Sequence, residues 1–285
     1  MTKNFKFIDL FAGIGGFHLA LSDSGGECVF ACEIDKAARA TYLVNNKISD
    51  ELFAEDITKV ESDAVPDHDI LCAGFPCQPF SQAGFKKGFE DIRGTLFFDI
   101  ARIIDVKRPK AIFLENVQHL LKHDDGKTFN KIRDILSGQL GYSFYHKVVR
   151  ASDFGLPQHR ARLFMVGFRD DKKKSFEFPK PLPLKMTMSE IFKGSCNKKI
   201  GYTLRVGGRG SKINDRRNWD SYLVDNKIRK ITPAEGVLMQ GFPSNFIFPV
   251  SETQAMKQLG NSVAVPAIRA TAEQIFKYLK HNEGK

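Results

Sequence analysis

A thiol stands between two prolines in the segment GFPCQPFSQAG, residues 74–84. Pro76 and Pro79 have fixed φ angles and no backbone N–H, so this segment is predicted to be a stiff loop rather than a helix or a central strand. The thiol of Cys77 is therefore a candidate nucleophile held on a rigid loop. A lone cysteine is more often a small buried hydrophobic residue, and we apply that interpretation to Cys28, Cys32 and Cys72.

A carboxyl group and two arginines extend this chemistry. Glu115 follows an apolar segment that is predicted to be a strand, as Cys77 does, and ligands in open α/β sheets bind beyond the carboxyl ends of strands. The thiol and the carboxyl group are therefore expected to face one pocket. Arg160 and Arg162 stand two positions apart, so on an extended segment both point to one face. They are candidates to clamp an anion or to lower the pKa of a thiol, and the alternative is a surface charge pair.

A glycine-rich loop indicates a second kind of site. The segment FIDLFAGIGGFHLAL places Gly13, Gly15 and Gly16 between a predicted strand and a predicted helix, where a ligand can approach the backbone closely. Glu33 stands twenty residues after Gly13, where an acid can bind ribose hydroxyls. His18 occupies the position where the nicotinamide fingerprint has glycine. The pattern alone predicts either a cofactor that contains adenosine or a tight turn with packing glycines.

Alternating strands and helices must position these residues. Apolar segments predict strands at residues 6–10, 27–32, 70–73, 111–114 and 163–168, and helical spacing predicts helices at residues 17–22, 95–106 and 265–279. This alternation indicates an α/β fold with a doubly wound, mostly parallel sheet. The proline-rich stretch FPKPLPLK indicates a domain boundary. We predict a catalytic and cofactor-binding domain of residues 1–177 and 255–285. A second, smaller domain with a hinge is predicted at residues 178–254, and we call it the recognition lobe.

The net charge of +10 is concentrated in one part of the 285-residue chain. Residues 150–230 contain 20 Lys/Arg and 8 Asp/Glu, which accounts for the whole positive excess. This concentration predicts a polyanionic partner such as nucleic acid, although DDKKK by itself is typical of a solvated surface. The five cysteines form no Cys-x-x-Cys pair, and no apolar run is long enough to span a bilayer. We therefore expect a cytoplasmic protein with reduced thiols, no metal site and no membrane span.

These segments, in this order, resemble the C5-cytosine DNA methyltransferases of bacterial modification systems. The resemblance runs along nearly the whole chain and covers DLFAGIGG, GFPCQPFS, ENV, QHRAR, GFP and GNSV. It implies S-adenosylmethionine as the methyl donor and a target cytosine that is flipped out of duplex DNA. By this resemblance Cys77 adds to C6 of cytosine, Glu115 assists N3, and Arg162 holds the cytosine carbonyl. Arg160 would anchor either the loop or the DNA.

The resemblance also implies a cofactor site, in which Glu33 binds the ribose hydroxyls, Asp56 binds the adenine amino group and Phe11 stacks on adenine. The implied cofactor contacts are Phe11, Gly13, Ile14, Gly15, Gly16, Glu33, Ile34, Asp56, Ile57, Pro76, Leu96, Asn261 and Ser262. The predicted DNA contacts are Ser81, Gln82, Arg205, Arg209 and Lys212. Among these, Arg209 is expected to read a guanine from a Gly-rich turn, and Lys212 is expected to hold a phosphate. The alternative is a flexible loop that binds only the DNA backbone.

The chain departs from the family at Ala234 and Leu238, where arginines that help to brace the recognition lobe are usual. An RNA cytosine methyltransferase, a catalytically inactive DNA-binding regulator and a nicotinamide oxidoreductase are the rival interpretations. The separate basic lobe favours duplex DNA, and the intact catalytic residues favour an active enzyme. We predict a monomer associated with the nucleoid, which methylates DNA within a restriction-modification system beside an endonuclease that acts on the same site.

Overall fold

The computed structural model describes residues 5–77, 96–169, 175–207 and 209–283. The strands in these residues are β1 (Phe5–Leu10), β2 (Gly26–Cys32), β3 (Phe53–Ala54), β4 (Ile70–Gly74), β5 (Ala111–Val117), β6 (Tyr145–Arg150), β7 (Ala161–Phe168), β8 (Ser221–Val224) and β9 (Lys227–Lys230). The α-helices are α1 (Gly16–Asp23), α2 (Lys36–Asn45), α3 (Leu96–Lys107), α4 (Lys127–Arg133), α5 (Met188–Phe192), α6 (Pro233–Gln240), α7 (Glu252–Asn261) and α8 (Val265–Glu283).

Seven of the described strands form one sheet in the order β3-β2-β1-β4-β5-β7-β6. The pairs from β3 to β5 are parallel, whereas β7 runs antiparallel to both of its neighbours. The chain moves outward from β1 to β3 and then returns to β4 on the other side of β1, so the strand order reverses between β1 and β4. The prediction of an α/β fold with a doubly wound, mostly parallel sheet is confirmed. In such sheets ligands bind where the order reverses.

Burial on both faces explains why the central strands are continuous apolar runs. Successive residues of a strand point to opposite faces, and Phe7 and Ile8 of β1 accordingly belong to different hydrophobic clusters. Phe7 packs in the cluster that contains Phe17 of α1 and Ile268 of α8, whereas Ile8 packs in the cluster that contains Ile100 of α3. Helices therefore cover the sheet on both sides, and α8 shares one of these clusters with α1.

The recognition lobe contains a small second sheet, in which β8 and β9 pair antiparallel. Asp225 and Asn226 join them with positive φ angles of 49° and 59°, as a two-residue hairpin turn requires. Trp219 and Tyr222 of the lobe are buried in the same hydrophobic cluster as Phe7 of the main sheet. One apolar core thus runs through both parts, and the boundaries at residues 178 and 254 stay a prediction.

We predict that Gly16→Ala lowers the free energy of unfolding. A Cβ at Gly16 would lie 2.4 Å from Cγ2 of Val263, in the turn between α7 and α8. Overpacking of this kind costs about 1–3 kcal/mol. Gly138→Ala is the matched control, because a Cβ there meets nothing within 4 Å and the change should be neutral or slightly stabilising. Urea denaturation measures both variants, and equal free energies of unfolding would contradict the packing argument.

Candidate active site

A cavity of about 420 Å³ lies beyond the carboxyl ends of β1, β2, β4 and β5. Its volume falls in the range of small-molecule sites. The wall brings together all four predicted catalytic residues and ten of the predicted cofactor contacts. They are Cys77, Glu115, Arg160 and Arg162, with Phe11, Gly13, Ile14, Glu33, Ile34, Asp56, Ile57, Pro76, Leu96 and Asn261.

Three predicted cofactor contacts do not line this wall: Gly15, Gly16 and Ser262. A Cβ on Gly15 would lie 2.4 Å from Nδ2 of Asn46, and the space next to Gly16 is filled by Val263. These two glycines therefore pack beneath the loop, which is the alternative that their sequence pattern left open. Gly13 differs from them, because it has a φ of 55° and open space around its Cα.

Sequence reasoning missed several residues of the wall. They include Cys32, Asp35, Glu55, Phe75, Asn116, Lys257, Gln258 and Gly260. Asn116 and Gly260 belong to ENV and GNSV, and Cys32 and Glu55 directly precede the predicted contacts Glu33 and Asp56, so the motifs and adjacency could have indicated them. Lys257 carried no comparable signal, because its place on the wall depends on how distant segments meet.

The loop that carries the thiol is held from the neighbouring strand. Nδ2 of Asn116 donates a hydrogen bond of 2.9 Å to the carbonyl oxygen of Phe75, two residues before Cys77. Burial raises the pKa of the Cys77 thiol, and neither arginine offsets this effect. The possibility that Arg160 and Arg162 lower the pKa of a thiol therefore gains no support from Cys77. The predicted DNA contacts Ser81 and Gln82 lie outside the described residues.

A buried carboxyl group faces the cavity from β5. The sheet register sets Glu115 opposite Gly74 on one side and Phe164 on the other. Its Oε1 lies 3.0 Å from Nε of Arg162. Burial raises the pKa of the Glu115 carboxyl, and the charges of Arg162 and Arg160 only partly offset this. A carboxyl group in this environment can hold a proton at a higher pH than an exposed glutamate and donate it to a ligand.

Arg160 is only 2% exposed, and its guanidinium group donates hydrogen bonds to main-chain carbonyl oxygens. Its Nη1 donates to the oxygen of Leu204 at 3.3 Å, and its Nη2 donates to the oxygen of Gly260 at 3.1 Å and to that of Ser262. These contacts hold residues 204 and 260–262 and not the loop that carries Cys77, so the anchoring of that loop or of DNA by Arg160 stays a prediction. DNA would reach the guanidinium only if those hydrogen bonds broke.

The other end of the cavity presents a carboxyl group in a fixed orientation. Glu33 accepts the backbone N–H of Gly13 through Oε2 and that of Asp35 through Oε1, both at 2.8 Å. Burial raises the pKa of Glu33, and these hydrogen bonds lower it. Each oxygen keeps a further lone pair for a ligand hydroxyl. Phe11 has a φ of 55°, a conformation that is an outlier for a bulky residue, and so joins the wall with a strained backbone.

Arg209, one of the predicted DNA contacts, forms ion pairs within the protein. Nη2 of Arg209 lies 2.6 Å from Oε1 of Glu252, and its Nε lies 3.8 Å from Oδ2 of the fully buried Asp220. This geometry ties the lobe to the first turn of α7 and gives no support to the reading of a guanine by Arg209. Arg205 and Lys212 are exposed, and their roles stay predictions.

A second buried carboxyl group lies behind the glycine loop. Asp9 is completely buried and accepts the backbone N–H of His18 at 3.2 Å. Burial raises the pKa of Asp9 well above its ordinary value, the bond from His18 lowers it, and the charge of Glu33 raises it. Nδ1 of His18 lies 2.6 Å from the hydroxyl of Tyr42. His18 therefore has an internal partner, which the comparison with a nicotinamide fingerprint did not indicate.

The described residues contain no helix that is long and apolar enough to cross a membrane. They also contain no group of three or more histidine, cysteine, aspartate or glutamate side chains that could hold a metal ion. All five cysteines are free thiols.

The chain matches the C-5 cytosine-specific DNA methylase family over residues 5–207 and 195–277. It is 42% identical over 314 aligned residues to the type II methyltransferase M.DsaV of Dactylococcopsis salina, with 99% of this chain and 88% of that protein covered. It is 40% identical over 319 residues to the type II methyltransferase M.HhaI of Haemophilus parahaemolyticus, with 98% and 94% covered. The segment KGFEDIRGTLFFDIARI, residues 87–103, by itself predicts a resemblance to the HhaI methylase, and the overall similarity to M.HhaI agrees with that prediction.

Solved structures share the fold. The Dnmt2 methyltransferase of S. pombe aligns with a TM-score of 0.75 and 19% identity, over 97% of this chain and 99% of that one. A putative DNA modification methyltransferase encoded within a prophage of E. coli aligns with a TM-score of 0.74 and 21% identity, over 97% and 100%. At this level of identity the similarity shows the architecture alone.

We predict that Asp9→Asn weakens the pH dependence of stability. Because the pKa of Asp9 is raised in the folded state, the folded protein keeps a proton that the unfolded chain releases above about pH 4. The stability that this proton contributes is present below that pH and is lost as the pH rises toward the raised pKa. The variant should therefore gain free energy of unfolding relative to wild type as the pH rises from about 4 toward the raised pKa of Asp9. Urea denaturation across this range measures the difference, and a constant difference would refute the assignment.

Proposed function

The chain belongs to the C-5 cytosine-specific DNA methylase family, and we propose that it methylates a flipped cytosine of a specific duplex sequence by covalent catalysis, with S-adenosylmethionine as methyl donor. Family membership establishes the DNA cytosine-5 methyltransferase activity. The covalent route is supported by one observation above all. A thiol, a buried carboxyl group and an arginine, those of Cys77, Glu115 and Arg162, share the wall of a single cavity.

The cavity fits the proposed cofactor at the end that holds Glu33. Both oxygens of this carboxyl group are oriented by backbone N–H groups, so their remaining lone pairs can accept the two ribose hydroxyls. Asp56 is oriented in a similar way, because its Oδ1 accepts the backbone N–H and the hydroxyl of Thr58 at 3.1 and 2.7 Å. It would bind the adenine amino group, and the ring of Phe11 would stack on adenine. S-Adenosylmethionine, when bound, supplies an electrophilic methyl group for C5.

Cys77 would start the reaction on the base. Its thiolate donates an electron pair to C6, so a sulfur–carbon bond forms, the C5–C6 double bond opens and C5 becomes nucleophilic. Because burial raises the pKa of this thiol, its proton must be removed as the base is engaged. A base that is stacked in a duplex cannot reach a thiol in this cavity, which is why the target cytosine must leave the helix.

Glu115 and Arg162 would stabilise the negative charge that this addition places on the ring. Glu115 can donate a proton to N3, since burial favours its protonated form. Arg162, 3.0 Å from that carboxyl group, can donate to the cytosine carbonyl. After C5 is methylated, loss of its proton restores the C5–C6 double bond and releases the Cys77 thiolate.

The named relatives support a role in DNA modification. M.DsaV and M.HhaI are type II methyltransferases, and on that basis we propose that this chain protects DNA against an endonuclease that acts on the same site. Its exposed lobe residues Arg205 and Lys212 would contact the duplex. Transfer of labelled methyl groups to a randomised DNA duplex library, with RNA of matched composition in parallel, tests the substrate. Transfer to RNA alone would overturn the proposal, and the methylated sequences in the library would define the target.

Cys77→Ser should lower the rate of methyl transfer by at least about 1,000-fold, as in other enzymes that lose their nucleophile, while cofactor binding stays intact. Wild type should form a stable covalent complex with DNA that contains C5-fluorinated cytosine, because the fluorine cannot leave as a proton. Cys32→Ser is the matched control. Cys32 lines the same cavity, but burial and the charge of Glu33 raise the pKa of its thiol to about 12, so activity should persist. Full activity of Cys77→Ser would exclude covalent catalysis by this thiol.

Glu33→Ala should weaken the binding of S-adenosylhomocysteine and leave the affinity for DNA unchanged. Hydrogen bonds to a charged group contribute about 1.5–3 kcal/mol, which corresponds to a loss of about 10- to 150-fold. Glu55→Ala is the control, since Glu55 lines the same cavity but its side chain is 74% exposed. Isothermal titration calorimetry with each ligand measures both affinities. An equal loss for DNA and cofactor would point to misfolding instead of a lost contact.

A further inference from the structure

The buried side chains of Gln158 and Arg160, just before β7, form hydrogen bonds with the N–H and the carbonyl group of Leu204 in the recognition lobe. Oε1 of Gln158 accepts the N–H of Leu204 at 3.0 Å, and Nη1 of Arg160 donates to its carbonyl oxygen at 3.3 Å. Gln158 is fully buried and Arg160 is nearly so, so water does not compete for these bonds. Backbone bonds support the junction, since Gly201 donates to the oxygen of Pro157 at 2.8 Å and accepts from the N–H of His159 at 3.1 Å.

The same two side chains also hold the segment that lines the cofactor end of the cavity. Arg160 donates to the carbonyl oxygens of Gly260 and Ser262. Nε2 of Gln158 lies 3.3 Å from Oε1 of Gln240, and Nε2 of Gln240 donates to the oxygen of Leu259 at 2.7 Å. A continuous buried network therefore joins Leu204 of the lobe to the C-terminal end of α7. There, Gly260 and Asn261 line the cavity.

The backbones of the two joined segments are also in close contact. A Cβ on Gly260 would lie 2.5 Å from the carbonyl carbon of Arg205. Residues 260–262 therefore cannot shift toward the lobe without moving residues 204–206. A shift away from the lobe would instead strip acceptors from the buried guanidinium of Arg160, and leaving a buried charge unpaired is strongly destabilising. Movement in either direction costs free energy, so residues 260–262 and residues 204–206 must move together.

We propose that Gln158 and Arg160 are positioning residues that couple the cofactor site to the recognition lobe, so that cofactor and DNA bind cooperatively. A ligand that fixes residues 260–262 also fixes Leu204 and the exposed Arg205 beside it. By linkage, DNA bound at the lobe must stabilise the cofactor by the same factor. The proposal rests on the proposed function, since it takes S-adenosylmethionine and duplex DNA as the two ligands.

Hydrogen exchange tests the connection without DNA. The backbone of residues 202–206 does not line the cavity. Binding of S-adenosylhomocysteine should nonetheless slow amide exchange in this segment of the wild type by at least about 5-fold, the lower end of common coupling factors. In Gln158→Leu the cofactor product should still bind, but exchange at residues 202–206 should no longer respond. No response in wild type, or an equal response in the variant, would overturn the coupling.

Calorimetry tests the consequence for both ligands. The dissociation constant of S-adenosylhomocysteine is measured with and without a saturating randomised duplex. We expect a ratio of about 5 to 150 in wild type and a ratio near 1 in Arg160→Lys, which keeps the charge but loses the fork of donors. The matched control Arg133→Lys, on an exposed arginine of α4, should keep the wild-type ratio. The DNA affinity should change by the same factor when S-adenosylhomocysteine is added.

The outcomes separate the coupling from the proposed function. If wild type transfers methyl groups to duplex DNA but the ratio is 1, or if Arg160→Lys keeps the wild-type ratio, the coupling is wrong and the function stands. If wild type binds no S-adenosylhomocysteine, the cofactor assignment and the coupling both fall. Should Arg160→Lys not fold, Gln158→Leu replaces it in the calorimetric test, because it removes the bond to Leu204 without changing any charge.

Discussion

Strand β1 pairs with β4 in parallel register, with Phe7 opposite Ile70 and Leu10 opposite Ala73. Because both strands end at the same level, the glycine loop and the loop that carries Cys77 leave the sheet side by side. The pairing of Gly74 with Glu115 then adds the carboxyl group of β5 at the same edge. A slip of one residue would turn the side chains of a strand to the opposite face. The registers of these strand pairs thus bring the thiol, the carboxyl group and the glycine loop to one cavity.

The sequence was most informative where burial is uniform. Central strands are covered on both faces, so their apolar runs predicted β1, β2, β4, β5 and β7 and the α/β fold. Strand β7 begins at Ala161, two residues before the strand predicted at residues 163–168. Its first two residues are only half-buried, so they fall outside the apolar run on which the prediction was based. The motifs also indicated that Cys77 and Glu115 share a pocket, since the carboxyl ends of neighbouring parallel strands meet at one edge.

Long-range contacts were beyond the reach of local patterns. Arg160 binds carbonyl groups of Leu204, Gly260 and Ser262, and no spacing within QHRAR encodes those partners. The pKa of Cys77 depends on the balance of burial and charge in three dimensions, and here burial decides it. Arg209 looked free to read a base because the buried carboxylate of Asp220 and the start of α7 are distant in sequence.

The sequence resemblance implies bracing arginines where Ala234 and Leu238 stand, and in this chain other arginines make contacts in that region. Ala234 is exposed at the start of α6, and Leu238 packs against the main hydrophobic cluster. Arg229 spans this region instead, because its guanidinium donates to Glu235 of α6 and to the carbonyl oxygen of Phe192 in α5, both at 2.9 Å. The ion pair of Arg209 with Glu252 adds a second brace to α7. The departure at Ala234 and Leu238 thus coincides with a different set of contacts.

The raised pKa of the Cys77 thiol has a consequence for chemical durability. Peroxides and electrophiles react with thiolates, and a thiol that keeps its proton near neutral pH is a slow target for them. Under the proposed covalent route, the enzyme gains from keeping this sulfur protonated between encounters with its substrate. In that route burial would provide chemical selectivity as well as a shaped site, because the sulfur would react slowly with small molecules until a base engages it.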